Sequence, residues 1–195
     1  MSRDRFRNLE ILGFSKYDVG DRGVVRNART KDILKTKTLK SGIVVVQMIN
    51  DEGKQTSATL AKLVCELYLS KPKAVTRPTP MHKNLDPQDN RYQNLCWRDR
   101  TFINRYQAER KSREVPLLDK PVYSIGDKIY FANSREAAES YGILETHMVN
   151  NLLNGSRIPY MKSKKSNAAT YDIMSRAFKF DEGDNLGTSK KAETT

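Results

Sequence analysis

Between Tyr17 and Ile49 short apolar groups, the longest the β-branched run IVVVQMI, are set apart by polar positions and by turn signals at Gly20–Gly23 and Lys40–Gly42. That pattern predicts short β-strands joined by turns, with a further turn at NDEGK. Beyond it the period changes. Leu60, Leu63, Val64, Leu67 and Tyr68 recur at helical spacing until Lys71-Pro72, which predicts a helix. Residues 71–96 are rich in Pro, Asp and Asn and predict a long irregular loop, of a kind that compact domains keep for binding or reaction. DRTFINRYQAERKSR, residues 99–113, predicts a polar, strongly basic helix with little apolar face, either a solvated linker or a phosphate-contacting element.

Two prolines in EVPLLDKPVY place a boundary between Lys111 and Lys120. A hairpin, VYSIGDKIYF, follows, its strands meeting across Gly126-Asp127. Asn133 or Ser134 then caps a helix that runs through Tyr141 and stops at Gly142. LETHMVNNLLNG predicts a second helix, with Met148, Val149 and Leu152 inward and Asn154-Gly155 closing it. Two short helices split by a Gly turn have helix-turn-helix spacing, and equally that of a plain helical hairpin. The tail from Asp181 is polar, slightly acidic and expected to be disordered.

Charge adds a partner to this picture. Thirty-five Lys and Arg against 23 Asp and Glu give a net charge of +12 over 195 residues, which points to a polyanion and first to nucleic acid. Charge alone does not separate DNA from RNA. No amphipathic basic helix with a broad apolar face suits a membrane surface, no run is long enough to span a bilayer, and MSRDRFRNLE lacks an apolar leader, so the expectation is a soluble, cytoplasmic chain. Cys65 and Cys96 are isolated, so neither a zinc site nor a disulfide is expected.

The candidate chemistry lies in PMHKNLDPQDNRYQNLCW, residues 80–97. Metal-assisted cleavage of a phosphodiester needs a base for water and hard oxygens for a divalent ion. His82 is suited to the first role, and Asn84, Asp86, Asp89, Asn90 and Asn94 offer oxygens for magnesium or manganese. The same Asn and Asp residues are also ordinary turn formers.

This segment resembles the HNH homing endonucleases of phages and mobile introns. His82 matches the family's general base, and Asn90-Arg91 with Asn94-Leu95-Cys96-Trp97 matches the rest of its motif. YDVGDRGVVRN is similar to a small sheet module found upstream of such cores, and residues 122–155 are similar to the helix-turn-helix modules attached to them. The resemblance implies an α+β protein: a β-rich nuclease-associated module over 1–55, a ββα-metal core with its basic helix over 56–112, a linker over 113–120, and a helix-turn-helix DNA-binding module over 121–180. It implies double-stranded DNA as partner, Mg or Mn as cofactor, His82 as base and Asn94 as the residue that steadies base and turn.

Departures from the family fall at the metal. Met81 stands where a carboxylate ligand belongs, Ile103 stands at the second ligand position with Asn104 one residue later, and Ala61 replaces a helical His. Asn104, Asp86 and Asp89 remain as candidate ligands. Two functions stay open: a site-specific endonuclease that nicks or cuts DNA, or a nuclease-derived DNA-binding regulator without cleavage, for which a protein partner is then conceivable. An RNA- or protein-binding factor is a third. Phosphate contacts are expected from Arg98, Arg100, Arg105, Arg110 and Lys111, and base contacts from Glu145, Thr146, His147, Asn150 and Asn151. Neither half offers a dimerisation stripe, so a monomer is expected.

Overall fold

A computed structural model describes residues 5–72, 77–156, 158 and 178–180. The chain divides into two units, Met1–Lys111 and Ser112–Thr195. The expected disordered tail lies outside the described residues.

In the first unit β1 (Phe6–Leu9), β2 (Phe14–Gly20) and β3 (Val25–Asn27) form one antiparallel sheet, and β4 (Thr36–Thr38), β5 (Val44–Ile49) and β6 (Gln55–Thr59) form another. The turns fall at the predicted glycines: Gly23, Gly42 and Gly53 all have φ near +80°, a conformation that only glycine adopts without strain. β1 was hidden from the pattern by its charged residues. β6 was hidden by its polar composition, QTSAT. A division at residue 55 would fall at the start of β6, which pairs with β5 from Ile49↔Gln55 to Val45↔Thr59.

Helix α1 (Leu60–Tyr68) buries Leu60, Ala61, Leu63, Val64 and Cys65. One apolar cluster joins this face to Leu9, Val19, Val46, Met48, Leu95 and Trp97. The predicted irregular loop at 71–96 needs correction: β7 (Thr79–His82) pairs antiparallel with β8 (Leu95–Arg98), so the loop proper is the turn between them. Alternation is too short over four residues, and Pro80 too discouraging, for the pattern to reveal β7. Helix α2 (Arg100–Lys111) follows, its N-terminus capped by Asp99, whose Oδ1 accepts from Phe102 N at 2.7 Å. It too departs from expectation, because Phe102, Ile103 and Tyr106 form a narrow buried face.

In the second unit β9 (Val122–Ser124) is central, flanked by β10 (Ile129–Phe131) and by β11 (Phe178–Phe180), a strand the pattern did not predict. Helix α3 (Ser134–Tyr141) is capped by Asn133, whose side chain accepts from Glu136 N, and ends at Gly142 in the left-handed region. Helix α4 (Glu145–Asn154) ends at Gly155 in the same way. Val122, Phe131, Ala137, Ala138, Ile143, Met148 and Phe178 make this unit's core. Residues expected as linker are held by it: Leu118 N donates to Ser134 Oγ at 3.0 Å and Ser134 N to Leu118 O at 3.1 Å. No described helix is long and apolar enough to cross a membrane.

Candidate functional site

His82 ends β7 opposite Leu95. Its Nε2 lies 3.1 Å from Asn90 Oδ1, and Asn90 is buried, with Nδ2 donating to Gln88 O at 3.1 Å and Pro87 O at 3.4 Å. With the amide nitrogen held by two carbonyls, the amide oxygen faces the ring. Nε2 therefore carries the proton, and Nδ1 is the ring's acceptor, the form a general base requires. Asn90 is the residue that contacts the histidine ring.

Asn94 shapes the turn instead. Its Oδ1 accepts from Asn84 N at 3.1 Å, and its Nδ2 donates to Asn84 Oδ1 at 2.9 Å and Asp89 O at 2.8 Å. Its backbone oxygen accepts from Lys83 N, whose own carbonyl accepts Tyr106 OH from α2 at 2.6 Å. Leu85, inside this turn, is held at φ +63°, a strained setting for a branched side chain. Two hairpin glycines brace the turn from outside. A Cβ at Gly23 would stand 2.7 Å from Asn90 Cβ, and one at Gly42 would stand 2.6 Å from Pro87 Cγ. Each glycine therefore makes its own turn and admits a loop residue: Gly23 admits Asn90, which contacts the histidine, and Gly42 admits Pro87, whose carbonyl accepts from Asn90.

A cavity of about 520 Å³ opens beside His82. Ala61, Met81, Leu85 and Ile103 are among its apolar walls, Ser41, Thr59, Thr79 and Gln107 give it neutral hydrogen-bonding groups, and Arg100 and Lys111 give it positive charge. Among the described residues no carboxylate lines it. The two positions where the resemblance calls for metal ligands, Met81 and Ile103, thus face this space with a thioether and a branched alkyl group, and Ala61, where the resemblance has a helical His, with a methyl. Magnesium and manganese demand hard oxygen donors, so the residues present do not fit either ion.

The substitute ligands stand elsewhere. Asn104 is exposed and outside the lining, because the helix turns Ile103 inward at that level. Asp86 is exposed and its Oδ1 accepts from Gln88 N at 2.9 Å. Asp89 is held in a two-pronged pair with Arg91, at 2.8 and 2.7 Å, and receives Asn84 Nδ2 at 3.0 Å. The Arg91 hydrogen bond holds its carboxyl below the usual range. Among the described residues no group of three His, Cys, Asp or Glu is placed to hold a metal.

The expected DNA contacts also divide. Arg100, Arg105 and Lys111 are exposed on α2, and Arg110 is half-buried. Arg98 is not available to phosphate. It is buried on β8, donates to Trp97 O at 2.9 Å and lies over the Phe102 ring. On α4, Asn150 is exposed and Thr146 and His147 are half-buried. Glu145 and Asn151 are corrected to structural roles. Glu145 accepts Ser134 Oγ at 2.6 Å, Leu117 N at 2.7 Å and Arg135 Nε at 3.1 Å. Asn151 accepts Phe178 N at 3.2 Å and donates to Ser156 O at 2.8 Å, tying β11 and the residues after α4 to the helix.

Comparison with known proteins gives one likeness. A solved structure described as "DNA binding and cleavage by the HNH homing endonuclease I-HmuI" is similar over 90% of this chain and 97% of that chain, with 18% identity and a TM-score of 0.49. No protein-family model matches the sequence. No curated protein matches it either.

Proposed function

We propose that this protein binds duplex DNA on a scaffold of the HNH endonuclease type and works by occupancy, without metal-dependent cleavage. The observation that carries this reading is the lining of the His82 cavity, where Arg100 and Lys111 supply charge for a phosphate while Met81 and Ile103 stand at the two positions where the resemblance places metal ligands. Arg105 adds phosphate contact from the same helix, and Thr146, His147 and Asn150 on α4 are the base-reading residues of the second unit. The protein is a monomer, and a regulator of this kind acts through a protein partner or by blocking its site.

A second reading, a nickase, is favoured by one specific feature: the Asn90 contact leaves His82 Nδ1 as an acceptor, ready to take a proton from water. Gel-shift and plasmid-nicking assays on the same DNA separate the two. Occupancy predicts duplex binding that persists in EDTA, a weaker and less salt-sensitive complex for Arg100→Gln with Lys111→Gln, and no nicking in magnesium or manganese above the His82→Ala background. Metal-dependent nicking that His82→Ala abolishes would establish the enzyme instead.

A further inference from the structure

The second unit carries an outer sheet surface that neither the cavity nor α4 uses. Register places Tyr130 opposite Tyr123 and Tyr123 opposite Lys179, so these three side chains form one row across β10, β9 and β11. The rows on either side carry the buried residues Val122, Phe131, Ser124 and Phe178, which assigns the middle row to the opposite, outer face. Tyr130 is 62% exposed. The two rings are 4.5 Å apart between centroids and tilted by 43°, and Lys179 Nζ lies 5.4 Å from the Tyr123 centroid.

We propose that this row is a stacking platform for the bases of single-stranded DNA. A sheet holds its outward side chains rigidly, so an exposed ring there presents a flat π-face whose ordering cost folding has already met. Stacking on an aromatic ring is tolerant of sequence, because every base has such a face, and a cation beside it neutralises the phosphate that joins one stacked nucleotide to the next. Tyr130 supplies the open face, Tyr123 buttresses it from the neighbouring strand, and Lys179 supplies the charge on the far side. Duplex DNA keeps its bases stacked on one another and offers nothing to such a ring. The platform therefore adds an activity toward unpaired strands that stands apart from duplex binding.

Fluorescence anisotropy of the full chain with labelled oligothymidylate, and separately with a labelled duplex, tests this. Tyr130→Ala should weaken oligothymidylate binding about 10-fold while leaving duplex affinity unchanged, in keeping with the loss of one stacked base. Tyr130→Phe should bind as the wild type does, since the ring and not the hydroxyl is used. Lys179→Gln should lower the salt slope for the single strand by about 0.7. Unchanged oligothymidylate affinity in Tyr130→Ala overturns the proposal, as does an equal loss for both probes, which would make the face part of a duplex surface. Loss in Tyr130→Phe equal to that in Tyr130→Ala also overturns it.

Discussion

The turn around His82 and the helix pair around Glu145 are both built on networks of short polar contacts, yet they treat their polar residues in opposite ways. In the turn, Asn84, Asp89, Asn90 and Asn94 bond to one another and to backbone groups, and the result is a histidine held by one ring nitrogen with the other as acceptor. In the helix pair the network ends on itself. Both Glu145 oxygens accept from groups of the same unit, and the Arg135 that pairs with one of them also donates to the carbonyls of Glu114 and Val115. The first network orients a group toward a cavity, whereas the second locks the chain ahead of β9 onto the two helices. Polar residues near a candidate site are thus of two kinds, and burial with closed hydrogen bonding distinguishes them.

Removing the closed network should have the larger effect. Glu145→Ala would take from the Arg135 guanidinium, only 17% exposed at its side chain, its paired carboxylate, and from the Ser134 hydroxyl and Leu117 N their acceptor. Breaking a buried pair from one side costs about 3–5 kcal/mol. The expected outcome is loss of protection in amide hydrogen exchange across β9, α3 and α4, with the first unit unaffected. A Glu145→Ala protein that keeps its exchange protection and changes only its DNA sequence preference would reverse the comparison, making Glu145 a reader after all.

The open network is attacked best from outside. Gly23→Ala puts a side chain on a residue at φ +81° and drives its Cβ to 2.7 Å from Asn90 Cβ. An alanine in a backbone conformation it does not favour, with a clash besides, should destabilise by about 2 kcal/mol. Trp97, the chain's single tryptophan, is buried in this unit and reports its unfolding by fluorescence in denaturant. The sharper readout is local. Displacement of Asn90 should free the His82 ring, so that its NMR signals shift in Gly23→Ala and stay unmoved in Gly53→Ala, where the added carbon meets nothing within 4 Å.

How much of this was legible in the residues follows from the same distinction. Hairpin turns at Gly23, Gly42 and Gly53, the apolar face of α1, the Asn133 cap and the Gly142 stop all depend on local chemistry, and the chain order alone indicated them. β7 and β11 are too short for alternation to show, and β11 in addition depends on pairing with β9, far away in the chain. At the site, the chain order indicated a histidine in an Asn- and Asp-rich turn and Asn94 as the residue that steadies base and turn, but not that Asn90 is the amide in contact with the ring. A spacing motif names residues that share a turn without saying which amide reaches which atom. For Glu145 and Asn151 the signal of burial came from Ser134, Arg135 and Phe178, none of them adjacent in sequence. The polar face of α4 therefore looked uniform, although Glu145 and Asn151 are inward.

The smallest effect concerns pH, and it separates the two units by sign. Asp89 and Asp18 in the first unit both titrate below the ordinary aspartate range. For Asp89 the Arg91 hydrogen bond is the main cause; for Asp18 burial works the other way, and bonds from Asn8, Arg26 and Lys31 together outweigh it. A carboxylate whose folded value is depressed contributes stability that is present above its unfolded value and is lost as pH falls through the folded one. Tyr141 in the second unit is the reverse case. Burial, and then its bond to Asp127 at 2.6 Å, pushes the phenol from 10.0 up to about 12. Its contribution is complete below pH 10 and is lost as pH rises toward about 12. Amide exchange should therefore show the first unit loosening first below about pH 4, with Arg91→Ala moving that loss to higher pH. The second unit should loosen first above about pH 10, and Tyr141→Phe, which cannot ionise, should flatten that alkaline limb. Acid lability shared equally by both units would mean that the Asp89 and Asp18 pairs carry no net stability, and that the His82 turn is held by its asparagines alone.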